Sequence, residues 1–306
     1  MCTGPEGPTP GEGEVLIGVA VVGVNFVDIY GRRGQNPKEL PFTVGQEAAG
    51  IVEAVGPDVT GFAVGDRVAT PAARGAYADK AIAPAGRTVE LPDDIPFDVA
   101  AATVVQGLTA HYLATSTVSL TSDHEALVHA GAGGVGLLLT QIAKMRGATV
   151  YTTVSTREKA ELSAAAGADE VILYTEVDFA EEVLRFDPEG VHVVYDSVGR
   201  DTFDRGLECL RPLGVMALYG ESSGLIDPVD PKRLNAGGSL FLTRPSGKHY
   251  MRTPEQFRAR AREMFDWIVA GDLVVRIGER HPLAEAATAQ QRVESRLTTG
   301  KVLLTV

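Results

Sequence analysis

Cysteine is scarce: the 306-residue chain has two, Cys2 and Cys209, far apart in sequence. Two such residues build neither the disulfide framework of a small secreted domain nor a C-x-x-C metal knuckle, and a reducing cytoplasm suits them. No stretch approaches the ~20 apolar residues of a membrane helix, so no membrane partner is expected. A basic segment followed by an apolar one is missing at the N-terminus, so no secretory signal is expected. Cations are outnumbered, 28 Lys and Arg against 40 Asp and Glu, and no run of five or more basic residues occurs. Because nucleic-acid binding rests first on neutralising phosphates, the net charge of −12 argues against a nucleic-acid partner. Internal repeats and low-complexity tracts are absent as well.

What is present is an ordinary globular composition, 44% hydrophobic and 22% charged, with 34 glycines. Single cores stop growing near ~250–300 residues, so two lobes are expected. Residues 1–13 are turn formers and read as a tail or lead-in loop. From Glu14 to about Glu90, short apolar runs (VLIGVAVVGV, EAAGIVEAVG, DRVAT, AYADKAIA, TVELP) closed by Gly or Pro suggest a small β barrel or sandwich. After PDDIPFDVAAA the texture changes to alternation. Strands are expected at 126–131, 148–154, 170–174, 191–199, 214–220 and 238–245, with helices at 134–146, 156–168, 178–186 and up to about Leu210. Repeated βα units of this length predict a parallel sheet with right-handed crossovers. One amphipathic helix, from Pro254 to Gly271, and a closing strand in GKVLLTV complete the pattern. That last strand suits the first lobe, which places the βα domain as an insertion.

The run HAGAGGVGLLLTQIAK (129–144) puts Gly131, Gly133 and Gly136 in G-x-G-x-x-G spacing between a strand and a helix. There the first glycine makes the turn, the second admits a pyrophosphate, and the third lets helix close on strand, while the helix N-terminus offers free N–H groups. The alternative is a tightly packed strand and helix without ligand. NAD sites place a carboxylate on the ribose 2′-OH at the end of the second strand. Here that place reads TTVSTREK, with Ser155, Thr156, Arg157 and Lys159 and no acid before Glu158. Hydroxyls and cations suit a 2′-phosphate, so NADPH is expected over NADH. The rival is that Arg157 and Lys159 are the solvated first turn of a helix.

Eight blocks, GVNFVDIYGRRG (23–34), GQEAAGIVEAVG (45–56), GDRVA (65–69), QGLTAHYL (106–113), HAGAGGVG (129–136), VVYDSVGRDTFDRGLECL (193–210), TRPS (243–246) and ESRLTTGKVLL (294–304), carry a wider likeness. In that order, over nearly the whole chain, they resemble the zinc-independent quinone oxidoreductases (NADPH:quinone reductases) of the medium-chain dehydrogenase/reductase superfamily. The resemblance implies an α/β fold, a Rossmann doubly wound parallel sheet inserted into a GroES-like β-rich catalytic domain. Residues 1–104 and 243–306 would form the catalytic domain and 105–242 the NADPH-binding domain. Relatives start with a further strand ahead of GEGEVLIGV, where this chain has only a few residues. Either the start site is late or the lobe manages with one strand fewer.

The superfamily's alcohol dehydrogenases hold a catalytic zinc with a Cys in the block reading GVNFVD here and a His in the block reading GQEAAG. Asn25 and Gln46 stand at those places, and the four-cysteine structural zinc lobe is missing. An amide is a poor zinc ligand, so no metal is expected. Without one, hydride transfer suits a quinone or activated enone, whose conjugated oxygen needs modest stabilisation. An unactivated alcohol would need a Lewis acid or strong base.

The resemblance further implies catalytic roles for Asn25 and Tyr30, beside nicotinamide and substrate carbonyl, and for Thr109, which shares a helix face with Tyr112 toward the cofactor. Gly131, Gly133, Gly134, Val135 and Gly136 would hold the pyrophosphate. Ser155, Thr156, Lys159 and Tyr174 would hold the 2′-phosphate. Val198 would line the adenine or ribose edge, Phe241 and Thr243 the carboxamide, and Arg296 the phosphates. Each has a structural rival: Asn25 satisfying a turn, Tyr30 packing, Thr109 bonding back to its helix, Arg296 in a surface ion pair. Asp28 and Glu47 read as structural acids, His129 as a core residue, and Arg32 and Arg33 as a solvated corner or a guide for an anionic substrate. The expected activity is NADPH-dependent quinone reduction in a cytoplasmic homodimer joined near Gly238–Thr243. Enone or enoyl-thioester reduction, or non-catalytic NADPH binding in regulation, are the alternatives.

Overall fold

The computed structural model describes residues 7–35 and 39–306. Cys2 and the first part of the lead-in segment 1–13 lie outside the described residues. The chain forms two compact units, Met1–Leu108 with Met251–Val306, and Thr109–Tyr250. Both divisions fall a few residues beyond 104/105 and 242/243. At the second one, a short helix after the last parallel strand stays with the inserted unit, where its Tyr250 ring stacks on Tyr112 at 4.6 Å.

In the first unit, β1 (Glu14–Gly23) is followed by α1 (Phe26–Arg32) and β2 (Glu47–Val55). β3 (Arg67–Thr70), β4 (Lys80–Pro84), β5 (Val89–Glu90) and α2 (Phe97–Ala101) come next. β1 is antiparallel to both β2 and β4, and the sheet continues through β3 to β5. Alternating β-branched residues explain the arrangement: Val15, Ile17, Val19 and Val22 of β1 enter one core with Val52, Val68, Ala81 and Ala83. β1 and β2 pair closely at Gly18 and Gly50, where a Cβ on Gly50 would meet the Gly18 carbonyl oxygen and Ile17 Cγ2.

Helix α3 (Gln106–Tyr112) runs into a π-helical turn, Leu113–Thr117. Four βα units follow: β6 (Glu125–His129) with α4 (Gly134–Met145), β7 (Thr149–Val154) with α5 (Arg157–Ala165), β8 (Glu170–Leu173) with α6 (Phe179–Phe186), and β9 (Val191–Asp196) with α7 (Phe203–Glu208). β10 (Leu210–Leu218), α8 (Pro231–Ala236), β11 (Phe241–Thr243) and α9 (Gly247–Tyr250) close the unit. All its pairings are parallel, in the order β11-β10-β9-β6-β7-β8. The strand order reverses between β6 and β9, and ligands of open α/β sheets bind at such a switch point. Leu127, Tyr151, Ile172, Val194 and Met216 form one apolar face, covered by Phe179, Val183, Phe203 and Leu207 from α6 and α7.

The chain then returns to the first unit. α10 (Pro254–Ala270) starts at a Thr253–Gln256 capping box and stops at left-handed Gly271, as Pro254 and Gly271 had indicated. β12 (Ile277–Pro282), α11 (Ala286–Glu294) and β13 (Lys301–Thr305) follow, and β13 pairs antiparallel with β1. Among the expected strands whose bounds change, two do so at left-handed residues. The one at 214–220 begins at Leu210 and is interrupted by Leu213 at φ 65°. The one at 238–245 shrinks to Phe241–Thr243, because Gly238 and Ser239 take φ 106° and 58°.

Gly50→Ala should force β1 and β2 apart and lower unfolding free energy by roughly 3 kcal/mol, the scale of overpacking in a tight core. Urea denaturation reads this directly, and an unchanged midpoint would refute the close-approach argument.

Candidate functional site

In the inserted unit, β6 ends at His129 and the chain turns through Ala130, at φ 56°, into Gly131. Gly131 and Gly136 are buried, whereas Gly133, Gly134 and Val135 are partly exposed. A Cβ on Gly131 would come within 2.6 Å of Thr152 Cβ and 2.7 Å of Ser163 Oγ. One on Gly136 would strike the Ala130 carbonyl. One on Gly133 meets only the Ala130 oxygen, at 3.1 Å, and Gly133 is the N-cap of α4. Gly131 and Gly136 thus serve the packing of helix on strand, and Gly133 keeps bare the backbone that faces outward at the helix N-terminus.

At the end of β7, Lys159 Nζ donates to Ser155 Oγ at 3.3 Å, and Thr156 caps α5 by accepting from the Lys159 N–H. Arg157 points elsewhere, toward Glu176 at 3.6 Å on the surface. Tyr174 is 45% exposed and lies beside this end, since β8 pairs with β7 through Val154 and Leu173. The structure therefore brings Ser155, Thr156, Lys159 and Tyr174 to one edge and separates Arg157 from them. Val198 sits in the loop after β9, its N–H bonded to Asp196 Oδ1 at 2.7 Å. Asp196, fully buried, also accepts from Gly199 N and from the Thr202 hydroxyl, which explains why the strand expected to reach 199 stops at 196. His129 is fully buried against Thr153 (2.8 Å) and Phe179, and burial lowers its pKa. It is a neutral core residue.

Thr109 and Tyr112 are hydrogen-bonded across one turn, and burial pushes the Tyr112 phenol up to about 12. Tyr112 stacks nearly parallel on Tyr250, and Arg244 lies close enough to act on the phenol electrostatically. Tyr250 and Arg244 had no signal beyond their place near TRPS. Phe241 is 58% exposed on β11, which ends the sheet, and Thr243 is half-buried two residues on.

In the first unit, Asn25 lies two residues past β1, at the N-cap of α1, and is 5% exposed. Its Nδ2 donates to the Gly23 carbonyl (3.1 Å) and to Glu47 Oε2 (2.8 Å), and its Oδ1 accepts from Lys301 Nζ (2.9 Å). A lysine cannot accept and a carboxylate cannot donate, so this orientation of the amide is fixed, and both its hydrogens are committed internally. Lys301 Nζ also meets Glu47 Oε2 at 2.5 Å, and Glu47 Oε1 accepts from Val105 N at 2.6 Å. Asp28 accepts from Asn25 N and from the Tyr77 hydroxyl, which Gln290 approaches at 3.4 Å. In the sequence Lys301, Tyr77 and Gln290 carry no signal beyond a lysine opening the apolar run VLL. Tyr30 packs beside Phe26, ring centroids 6.1 Å apart. Arg32 and Arg33 both reach Glu294, so the corner is ion-paired. Arg296 is exposed and held at φ 56°.

A Rossmann sheet with a bare glycine turn at its switch point, inserted into a β-rich unit, defines a dinucleotide-binding oxidoreductase of the medium-chain type. The chain's residues 11–93 match the alcohol dehydrogenase GroES-like domain and residues 134–268 the zinc-binding dehydrogenase family. A quinone oxidoreductase of Pseudomonas aeruginosa is 43% identical over 96% of this chain and 92% of its own length. A 2-haloacrylate reductase of a Burkholderia species is 41% identical over 97% and 92%. A mycobacterial protein solved in complex with NADPH is 51% identical, with a TM-score of 0.95 over 98% of this chain and 93% of that one. The chain belongs to the quinone oxidoreductase family of the medium-chain dehydrogenase/reductase superfamily.

The zinc in one family's name does not fit these residues. Asn25 turns its one ligating oxygen to an ammonium, Gln46 is an amide, and among the described residues no group of three or more His, Cys, Asp and Glu could hold a metal.

Burial pushes Asp28 up from 3.8 to about 6, against the pull of the Asn25 N–H and Lys301. Between those values the folded protein binds more protons than the unfolded chain, so this group's contribution to stability falls as pH rises and is lowest above pH 6. Relative to Asp28→Asn, the wild type should lose on the order of 3 kcal/mol between pH 4 and pH 7. Urea midpoints of the two proteins across that interval measure it, and a constant difference would sink the assignment.

Proposed function

We propose that the protein is an NADPH-dependent reductase that passes hydride to a quinone or quinone-like acceptor without a metal. The observation that carries this is the edge beyond the glycine turn, where Lys159 and Ser155 stand together with no carboxylate on the strand end. A 2′-phosphate is attracted there, and a 2′-OH loses the acidic partner it would need. The NADPH bound by the mycobacterial relative, and the quinone named in the Pseudomonas one, support the same reading.

In this proposal NADPH supplies the hydride. Gly133, Gly134 and Val135 present N–H groups to the pyrophosphate at the start of α4, on the framework that Gly131 and Gly136 close. Ser155, Thr156, Lys159 and Tyr174 hold the 2′-phosphate, and Val198, in the loop tied down by Asp196, borders the adenosine. Thr109, oriented by Tyr112, serves the nicotinamide, with Phe241 and Thr243 at its carboxamide and Arg296 at the phosphates. Tyr30 is the acceptor-side hydroxyl. Asn25, with no amide hydrogen to spare, is a wall that positions the acceptor and not a donor to it. A conjugated oxygen needs little more, since its charge is delocalised and its proton can come from water. The open edge at β11, with Phe241 exposed, suits a homodimer, and a cytoplasmic setting suits the buried free thiol of Cys209.

Activated alkenes take the same hydride, and the likeness to a 2-haloacrylate reductase keeps them as the second reading. NADPH consumption with 1,4-benzoquinone, 9,10-phenanthrenequinone, 2-chloroacrylate and crotonyl thioester separates the two. Turnover of the quinones at the highest kcat/KM is expected. Turnover of only the alkenes would overturn the quinone assignment, and tight NADPH binding with no turnover would overturn catalysis.

Lys159→Ala should weaken NADPH roughly 10- to 100-fold, the worth of a charge-assisted contact, and change NADH by less than about 3-fold. Equal losses on both cofactors, measured by fluorescence titration, would remove Lys159 from the 2′-phosphate.

A further inference from the structure

α5 carries Thr156 at its cap and Lys159 in its first turn, and it packs on β7 and β8. Among its nine residues, all of them described, only Ser163 is buried. The neighbouring α4 is seated by Leu137, Leu138, Leu139 and Ile142, an apolar face that tolerates small slides because hydrophobic contact has no direction. α5 is seated by a hydroxyl. Ser163 Oγ and Thr152 Oγ1 are 2.8 Å apart, and both residues are fully buried. A slide or rotation of α5 would leave two buried hydroxyls unpaired, so this bond fixes the helix in one place. Lys159 stands one turn before Ser163 on the same face. The pair also touches the glycine turn, for a Cβ on Gly131 would come within 2.6 Å of Thr152 Cβ and 2.7 Å of Ser163 Oγ. The turn itself is tied elsewhere, through the Gly131 N–H to the Thr153 carbonyl at 3.0 Å. Removing the hydroxyl bond therefore frees α5 and leaves the turn in place.

We propose that Thr152 and Ser163 are positioning residues for the 2′-phosphate: their buried hydrogen bond sets where Lys159 stands relative to the glycine turn, and thereby how strongly NADPH is preferred over NADH. This rests on the reading of Lys159 as a 2′-phosphate ligand. Neither hydroxyl reaches the cofactor, since both are enclosed between strand, helix and turn. Their effect passes through the helix.

Dissociation constants of NADPH and NADH, measured by fluorescence titration of the full-length protein alongside urea midpoints, test this. Ser163→Ala and Thr152→Val should each weaken NADPH roughly 3- to 10-fold, the scale of one hydrogen bond, and NADH by less than about 2-fold. Thr152→Ser, which keeps the hydroxyl, should retain the preference. Thr152→Val/Ser163→Ala leaves no hydroxyl unpaired, so it should regain stability without regaining the preference. A preference that returns with stability overturns the proposal. In a Lys159→Ala background, Ser163→Ala should leave the NADPH-to-NADH ratio unchanged, and a further fall there overturns action through Lys159. If Lys159→Ala lowers the ratio and neither single hydroxyl variant does, this inference fails and the 2′-phosphate reading stands; if Lys159→Ala leaves the ratio unchanged, both fail. Should Ser163→Ala not fold, Thr152→Val removes the same bond from the strand side and decides.

Discussion

Gly23 is paired on one side with Glu47 and on the other with Leu303, and the organisation of the first unit depends on that double register. β1 needs β13 as a neighbour, so residues at the two ends of the chain meet across one strand. The register brings the first residue of β2, the residue two positions past β1, and the first residue of β13 together. Glu47, Asn25 and Lys301 are therefore assembled by sheet pairing before any attraction between their side chains is considered. A slip of one residue in either pairing would turn Glu47 or Lys301 to the opposite face and leave a charge facing an apolar core. Polar satisfaction and register thus specify each other.

The inserted unit uses the same logic with a different device. There the parallel order places the C-terminal ends of β6 and β9 side by side, and each end is stopped by a local feature. After β6 it is the left-handed turn at Ala130 leading to Gly131, and after β9 it is the Asp196 carboxylate collecting two backbone N–H groups and a hydroxyl. One stop leaves amide groups outward for an anion. The other gathers the chain's own amides inward, so that the loop carrying Val198 is rigid without a ligand. Adjacent strands end in opposite polar states, and that contrast makes the switch point of this sheet a place to bind something.

What could be read from the sequence follows from how local each feature is. The glycine turn, the strands with unbroken β-branched runs, and α10 with its proline, capping box and glycine are written in consecutive residues, and they stand within a few positions of expectation. β12 and α11 escaped notice because their information lies elsewhere. The strand IGERHP alternates half-buried and exposed positions with little apolar content, and exists because β13 offers it a parallel edge. α11 buries only Ala289, Gln290 and Val293, too few for a visible stripe. The shortened β11 differs from expectation for the opposite reason: FLTRP looks like a strand, but positive φ at Gly238 and Ser239 sets where it can start.

The site residues divide the same way, and the division bears on chemistry. Ser155 and Lys159 are one helical turn apart, so their proximity is nearly implied by spacing. Lys301 and Asn25 are separated by 276 positions, and no local pattern could have joined them. The lack of zinc ligands at Asn25 and Gln46 was legible, but the Lys301–Glu47 ion pair that engages Asn25 was not. An absent ligand set says only which reaction is lost. The buried ammonium adds that the polar groups around Asn25 are satisfied by one another and fixed in register.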